Sequence, residues 1–250
     1  MYNNYEKQAF VWDWDAFDDT PEYEYWRSYA ERFGQNVLVP MCALGQSAAY
    51  LAEHGFSVTA FDITPEMISE GKARFGAVGG LELIVGDILS LDLETKNYDF
   101  TFLAGHGDLH LLQTLGDVRQ AFHSLHRRLR AGGCLALELS LPAPESFCYP
   151  KREYQPRVPR YTDKKVWKVN EGRYDAAEKR NYIEQTVHVE SAADAEAFTQ
   201  RVCLQYYERG EILALLKQCG FSVQGEFSDR ARMPWTPGQC EWLVEAVKIG

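Results

Sequence analysis

Asn36–Asp62, NVLVPMCALGQSAAYLAEHGFSVTAFD, is the stretch around which the rest of the chain is organised. Val37-Leu38-Val39 is a short, apolar, mostly β-branched run, the composition of a strand buried on both faces. Pro40 to Gly45 interrupts it with turn-favouring residues. Gln46 to His54 has helical spacing, with Ala48, Leu51 and Ala52 on one side, and Gly55 ends it. Ser57 to Phe61 reads as a second strand, with Asp62 at its carboxyl end. Strand, tight turn, helix, strand and terminal carboxylate make a nucleotide-type βαβ unit. The helix N-terminus offers unsatisfied N–H groups to an anionic ligand group, and the carboxylate can accept both hydroxyls of a ribose. The pattern predicts a site for a ribose-bearing ligand.

Downstream the alternation continues. Thr64-Pro65-Glu66 opens a helix running to about Phe75, and Leu81 to Val85 is a third strand ending in Gly86-Asp87, on the same rim as Asp62. Tyr98 to Leu103 is a fourth strand leading into Ala104-Gly105-His106-Gly107-Asp108. Val118, Phe122, Leu125 and Leu129 recur at helical spacing, Gly132-Gly133 closes that helix, and Cys134 to Leu139 is a fifth strand. Strict alternation implies a parallel sheet with helices on both faces. From Pro142 to about Arg160 the pattern gives way to a loop. Three strands with one-face alternation follow at Val166–Tyr174, Arg180–Val189 and Phe198–Tyr207, an antiparallel insertion over the carboxyl edge of the main sheet. Glu208 to Cys219 is again helical, and Phe221–Phe227 and Trp242–Val247 supply two closing strands. The expected organisation is an N-terminal aromatic arm and helix over 1–35, a nucleotide-binding domain over 36–141 and 208–250, and an insertion over 142–207.

Upstream, Tyr2, Tyr5, Phe10, Trp12, Trp14 and Phe17 lie among acidic residues, in an arm packed on the domain or acting as a lid over the ligand. Thr20-Pro21-Glu22 starts a helix with Tyr23, Trp26, Ala30 and Phe33 as its buried stripe.

Composition narrows the function classes. The 250 residues suffice for one large α/β domain with an embellishment. A formal net charge of −10 argues against a nucleic-acid backbone as partner, since phosphate contacts need clustered Lys and Arg. No apolar run reaches the roughly 18 residues of a membrane span. The first residues, MYNNYEKQ, lack the pattern of a signal peptide, and six scattered cysteines without a C-x-x-C pair suit reduced thiols in a cytoplasmic protein.

With these residues in view, the chain resembles a class I S-adenosylmethionine-dependent methyltransferase of the small-molecule type. The resemblance rests on VLVPMCALGQ, VTAFDITPEMI, VGD, YDFTFLAGHGDLHLL and LHRRLRAGGCLALEL, covering residues 36–140 well and 208–247 in outline. It implies a Rossmann-like, doubly wound, seven-stranded, mostly parallel sheet whose last strand is antiparallel, with S-adenosyl-L-methionine as cofactor and a small-molecule methyl acceptor as partner. It further implies that Pro40, Met41, Cys42, Ala43 and Gly45 form the cofactor turn, and that Asp62 with Ile63 holds the ribose. By the same resemblance Asp87, Ile88 and Met67 lie at the adenine, and Leu103, Ala104 and Gly105 line the fourth strand's end.

The family's first motif is an acidic residue followed by Gly-x-Gly-x-Gly. Val39, Met41 and Ala43 replace the acid and the first two glycines, and only Gly45 remains. Negative φ at Met41 and Ala43, with side chains turned away, is the expectation for a close backbone approach. The Val-Pro-x-Cys form resembles the turn of thiol and thiopurine methyltransferases, and the layout of insertion and final helix resembles amino-sugar N-methyltransferases.

Methyl transfer is an in-line displacement that depends on positioning and exclusion of water. His106 and His110, after the fourth strand, are the general-base candidates, with loop hydrogen bonding as the alternative role. Asp108 reads as a loop or capping residue, Cys42 as buried filler, and Trp14, Tyr149 and Tyr154 as acceptor-facing aromatics. His106, Asp108 and His110 lack a fourth metal ligand, so no metal is expected. An NAD-dependent oxidoreductase and a non-catalytic binding protein of the same fold are the rival readings. The absence of G-x-G-x-x-G disfavours the first, and the altered turn motivates the second.

Overall fold

The computed structural model describes residues 3, 5–14, 20–91, 97–104, 108–142, 149–159, 162–192 and 194–250, without the side chains of 12–14, 149 and 150. A seven-stranded sheet organises the chain. In chain order its strands are β1 (Asn36–Pro40), β2 (Ser57–Asp62), β3 (Leu81–Val85), β4 (Tyr98–Leu103), β5 (Leu129–Ser140), β10 (Phe221–Phe227) and β11 (Glu241–Lys248). Their spatial order is β10-β11-β5-β4-β1-β2-β3. β1 pairs in parallel with β2 and β4, and β11 runs antiparallel to both β5 and β10. β1 is central, so Val37, Leu38 and Val39 are 0–2% exposed, as an uninterrupted apolar strand requires.

Helices α1 (Thr20–Phe33), α2 (Gln46–Glu53), α3 (Pro65–Phe75), α4 (Leu115–Arg128) and α5 (Arg209–Gln218) cover the two faces. Thr114 caps α4 by accepting the Asp117 N–H at 3.0 Å, and a reciprocal capping box between Glu208 and Glu211 starts α5. Leu129, expected in the α4 stripe, instead begins β5 and pairs with Tyr98. Its apolar side chain is buried in either state, so periodicity alone could not separate them. The buried stripe of α1 is Tyr25, Trp26, Tyr29 and Ala30 rather than one including Tyr23 and Phe33. Trp26 stacks on Phe102 at 4.6 Å and Tyr29 on Phe100 at 5.4 Å, fixing the rotation of the helix against β4.

Between β5 and α5 lies a four-stranded antiparallel sheet in the order β6 (Tyr149–Glu153), β7 (Lys165–Asp175), β8 (Arg180–Glu190), β9 (Ala195–Gln205). β6 falls where a loop was expected. The segment YPKRE has no apolar alternation of its own, and it is a strand because β7 supplies a partner edge.

The N-terminal segment Glu6–Trp14 forms 3-10 turns wedged between this sheet and the main domain. Asn3 hydrogen-bonds the backbone of β9 through Arg201 and Cys203. Val11 packs on Val166, Val187 and Val189, while Ala9 packs on Leu44 and Met67. Among the described residues, no helix is long and apolar enough to cross a membrane.

Candidate active site

Three strand ends and one turn build the site. After β1 the chain turns through Met41, Ala43 and Gly45, with φ of 52°, 49° and 86°. The expected negative φ at Met41 and Ala43 is therefore corrected: both adopt the left-handed region that a glycine turn uses. The turn's hydrogen bonds account for this. Cys42 N–H donates to Phe61 O at 3.0 Å, Ala43 N–H to an Asp62 carboxylate oxygen at 2.9 Å, and Gly45 N–H to Cys42 O at 2.8 Å. Each alternate residue must hold left-handed φ to aim these groups, at a cost of about 1–2 kcal/mol for a residue with a Cβ. At Gly45 a side chain is excluded twice, by its φ and by Leu83, which a Cβ would meet at 2.7 Å. Gly45 also precedes α2 without any side-chain cap.

Asp62 ends β2. One carboxylate oxygen accepts from Ala43 and the other from the Thr64 N–H at 2.9 Å. Burial pushes its carboxyl up, against the pull of those two amides. β3 pairs with β2 up to Val85 opposite Asp62, and Gly86 N–H donates to Asp62 O. Asp87 therefore stands on the same rim, where it accepts from Leu89 N–H at 2.9 Å. Ile63, 65% exposed, presents an apolar side chain beside Asp62.

The remaining turn and strand-end residues divide by exposure. Met41, Ala43 and Ala104 are half-buried. Pro40, Cys42, Met67, Ile88 and Leu103 are buried, so any contact through the last three depends on space the protein core now fills. Met67 is 1% exposed and packs on Ala9 and Leu44, under the turn. Burial pushes the Cys42 thiol well up, with Asp62 and Asp108 nearby, which suits filler rather than nucleophile.

The fourth strand's end brings in Asp108, which local sequence marks only as a loop or capping residue. Asp108 accepts the Ala104 N–H at 2.9 Å, as a loop-closing residue does. Burial also raises its carboxyl well above the usual range, opposed by that bond and reinforced by Asp62, Glu22 and Glu138. Tyr5, from the N-terminal segment, packs by Ala9, Leu44 and Met67; burial raises its phenol, and then the charges of Asp108 and Asp62. Glu138, 5% exposed near the end of β5, pairs with Arg230 at 3.0 Å, and Arg230 reaches Glu22 on α1 at 2.7 Å. Tyr5, Glu22, Asp108 and Glu138 are far apart in sequence, and only topology brings them to one rim.

His110, a general-base candidate from sequence, is held within the fold through both ring nitrogens. It is 1% exposed and stacks on Tyr206 at 4.5 Å. The Ser140 N–H can only donate, so Nε2 accepts it at 3.2 Å, and Gln205 O can only accept, so Nδ1 donates at 2.9 Å. Neither nitrogen remains for a substrate proton. Tyr154 is half-buried against the Val166–Val187–Val189 cluster. His106 and Gly105 lie outside the described residues, as do the side chains of Trp14 and Tyr149.

Residues 37–133 match the family model of a methyltransferase domain, and the sheet order, turn and paired strand-end acids match that assignment. That match covers 97 of the 250 residues. Over 98% of its length it superposes on a S-adenosylmethionine-dependent methyltransferase from Clostridium acetobutylicum, covering 99% of that chain with a TM-score of 0.82 at 15% identity. The sugar N-methyltransferase KedS8 from Streptoalloteichus matches all of it, with 94% of that chain covered, a TM-score of 0.78 and 17% identity. Among curated sequences, the malonyl-[acyl-carrier protein] O-methyltransferase of Pseudescherichia vulneris is 31% identical over 108 residues, 42% of this chain and 39% of that one. The chain spans between 34% and 54% of the length of the curated relatives it matches.

Proposed function

We propose that this chain is a class I S-adenosylmethionine-dependent methyltransferase that transfers a methyl group from S-adenosylmethionine to a nitrogen of a small-molecule acceptor. One observation carries the cofactor half: without its glycines, the turn after β1 keeps left-handed backbone at alternate residues, directly over the Asp62 carboxylate. That backbone is costly for residues with a Cβ, and it aims the turn's amides at the Asp62 carboxylate, where a ribose would lie. Both Asp62 oxygens, fixed by amides, keep lone pairs for two vicinal hydroxyls. Met41, Ala43 and Ala104, with exposed Ile63 and the half-buried Asp87, would form the rest of the bed. The acceptor half is supported by the fold likeness to sugar N-methyltransferase KedS8 along nearly the full length of both chains.

When bound, the cofactor supplies an electrophilic methyl on a sulfonium. The chain's own residues hold and shield it. Asp62 orients the ribose. Asp108, whose burial favours the neutral carboxyl, closes the end of β4 by accepting the Ala104 N–H. Tyr5 and the N-terminal segment close the site from water, which suits an uncharged amine acceptor needing no strong base.

Titration calorimetry with S-adenosylmethionine, S-adenosylhomocysteine and NAD tests the reading. The first two should bind and NAD should not. Asp62→Ala should weaken S-adenosylhomocysteine by about 1–3 kcal/mol, the range for hydrogen bonds to a charged group. Binding of NAD alone, or unchanged affinity in that variant, would overturn it.

A further inference from the structure

The carboxyl rim also carries an ion network that the ribose bed does not use. α1 lies antiparallel to β4: Tyr29 stacks on Phe100 and Trp26 on Phe102, so one further turn towards the helix N-terminus brings Glu22 level with Ala104. Trp26 Nε1 donates to Glu22 Oε1 at 3.4 Å. Strand register puts Glu138 at the same height. Leu103 pairs with Leu137, and Thr101 with Leu38, so Glu138, Ala104 and Met41 form one row just past the end of β4. At about 4.8 Å between neighbouring strands, Glu138 stands roughly 10 Å across from the turn after β1. Arg230, from the 228–240 loop between β10 and β11, reaches into this row. Its Nε donates to Glu138 Oε1 at 3.1 Å, and its Nη2 to Glu138 Oε2 at 3.0 Å and to Glu22 Oε2 at 2.7 Å. Nη1 has no partner among the described residues.

Charge decides what this row suits. Glu22 and Glu138 set two carboxylates against one guanidinium. The cations that balance the excess, Arg32 at 2.9 Å and Arg232 at 2.6 Å, hold Glu245, which pairs with Ala136, two residues deeper along β5. The rim end is therefore negative, and it is accessible: the side chains of Glu22 and Arg230 are 23% and 33% exposed. Asp108 feels the charge of Asp62 as well as those of Glu22 and Glu138, so the ribose acid and this network flank the same loop. The amino-acid arm of S-adenosylmethionine leaves the ribose carrying an ammonium and a carboxylate. The turn at 40–45 and the strand end at 102–104 have no charged side chain to meet either. We propose that Glu22 and Arg230 form the subsite for this zwitterionic arm, with the ammonium on the Glu22 carboxylate and the carboxylate on Arg230 Nη1. Glu138 is the positioning residue, because its two-point contact fixes the guanidinium plane. A carboxylate presents about four acceptor sites, so Glu22 keeps its bonds to Trp26 and Arg230 while it accepts the ammonium. The inference rests on the cofactor reading above and is independent of the acceptor.

Titration calorimetry compares S-adenosylhomocysteine with 5′-methylthioadenosine, which keeps the nucleoside and the thioether but lacks the amino-acid arm. The unaltered protein should bind S-adenosylhomocysteine about tenfold or more tighter, as expected for hydrogen bonds to charged groups. Arg230→Lys keeps the charge and loses the planar fork. That variant and Glu22→Gln should each remove about tenfold from S-adenosylhomocysteine affinity, with 5′-methylthioadenosine changed by about twofold or less. Glu22 lies in the accessible first turn of α1, so its variant carries the test even where Arg230→Lys fails to fold. Arg232→Lys disturbs the deeper Glu245 network instead; it should lower the melting temperature and leave the ratio of the two affinities unchanged. Equal binding of the two nucleosides, a ratio unmoved in Glu22→Gln, or a ratio moved as far by Arg232→Lys overturns the inference. An unaltered protein that binds neither nucleoside overturns the cofactor reading, and this inference with it.

Discussion

Ala43→Gly isolates the strain in the turn after β1. At φ 49°, Ala43 carries a left-handed penalty of about 1–2 kcal/mol that glycine does not. Against this, the glycine variant gains unfolded-state freedom worth about 0.4–1 kcal/mol. It also loses a half-buried methyl beside Ala9, Leu44 and Met67, about 0.4 kcal/mol at half the value of a buried CH₂. The balance lies between about −0.4 and +1.2 kcal/mol, a small net gain. Ala49→Gly in α2 is the control. Ala49 is helical and 3% exposed, and its replacement should cost about 1.8 kcal/mol, combining helix propensity with the lost methyl. The two variants should differ by about 2 kcal/mol, which for a chain of this size separates their melting temperatures by about 4–8 °C. Differential scanning calorimetry on the three proteins decides it. If Ala43→Gly melts as low as Ala49→Gly, the turn is not strained and the case for a ligand-directed backbone fails.

His110→Phe keeps the stack on Tyr206 but leaves Ser140 N–H and Gln205 O unpaired, so urea denaturation should show a loss of about 2–4 kcal/mol. Turnover of the folded variant well below its melt should persist; a dead but stable variant would restore His110 as a base. Burial raises Asp62 and Asp108 above their unfolded values. Their contribution to stability is therefore full below the unfolded carboxylate range and is lost as pH rises through the raised folded values. Ligand binding has the opposite slope, because only ionised Asp62 accepts both hydroxyls. S-adenosylhomocysteine affinity should fall as pH is lowered from about 7 to 4, and calorimetry showing a flat profile would contradict the role given to Asp62.

The βαβ unit was legible because its cues are local. An apolar run as short as Val37–Val39 fits only a doubly buried strand, Gly55 and Thr64-Pro65 punctuate two helices, and a strand-end acid follows at the right distance. Where two states bury the same side chain, the local signal failed: Leu129 satisfies helix and strand alike, and β6 exists only because β7 lies beside it. The turn after β1 shows the same limit at one residue. Met41 and Ala43 hold left-handed backbone because Asp62, about twenty positions on, anchors the Ala43 amide, and no propensity of either residue would suggest it.

The sequence by itself determined the order of strands and helices in the main domain and the acids at the ends of β2 and β3, since each is a nearest-neighbour property of the chain. Only the tertiary structure decided that His110 is locked between Ser140 and Gln205. The same holds for the gathering of Tyr5, Glu22, Asp108 and Glu138 at one rim. The physical reason is burial. Whether a polar group is paired or charged depends on which distant segment removes it from water.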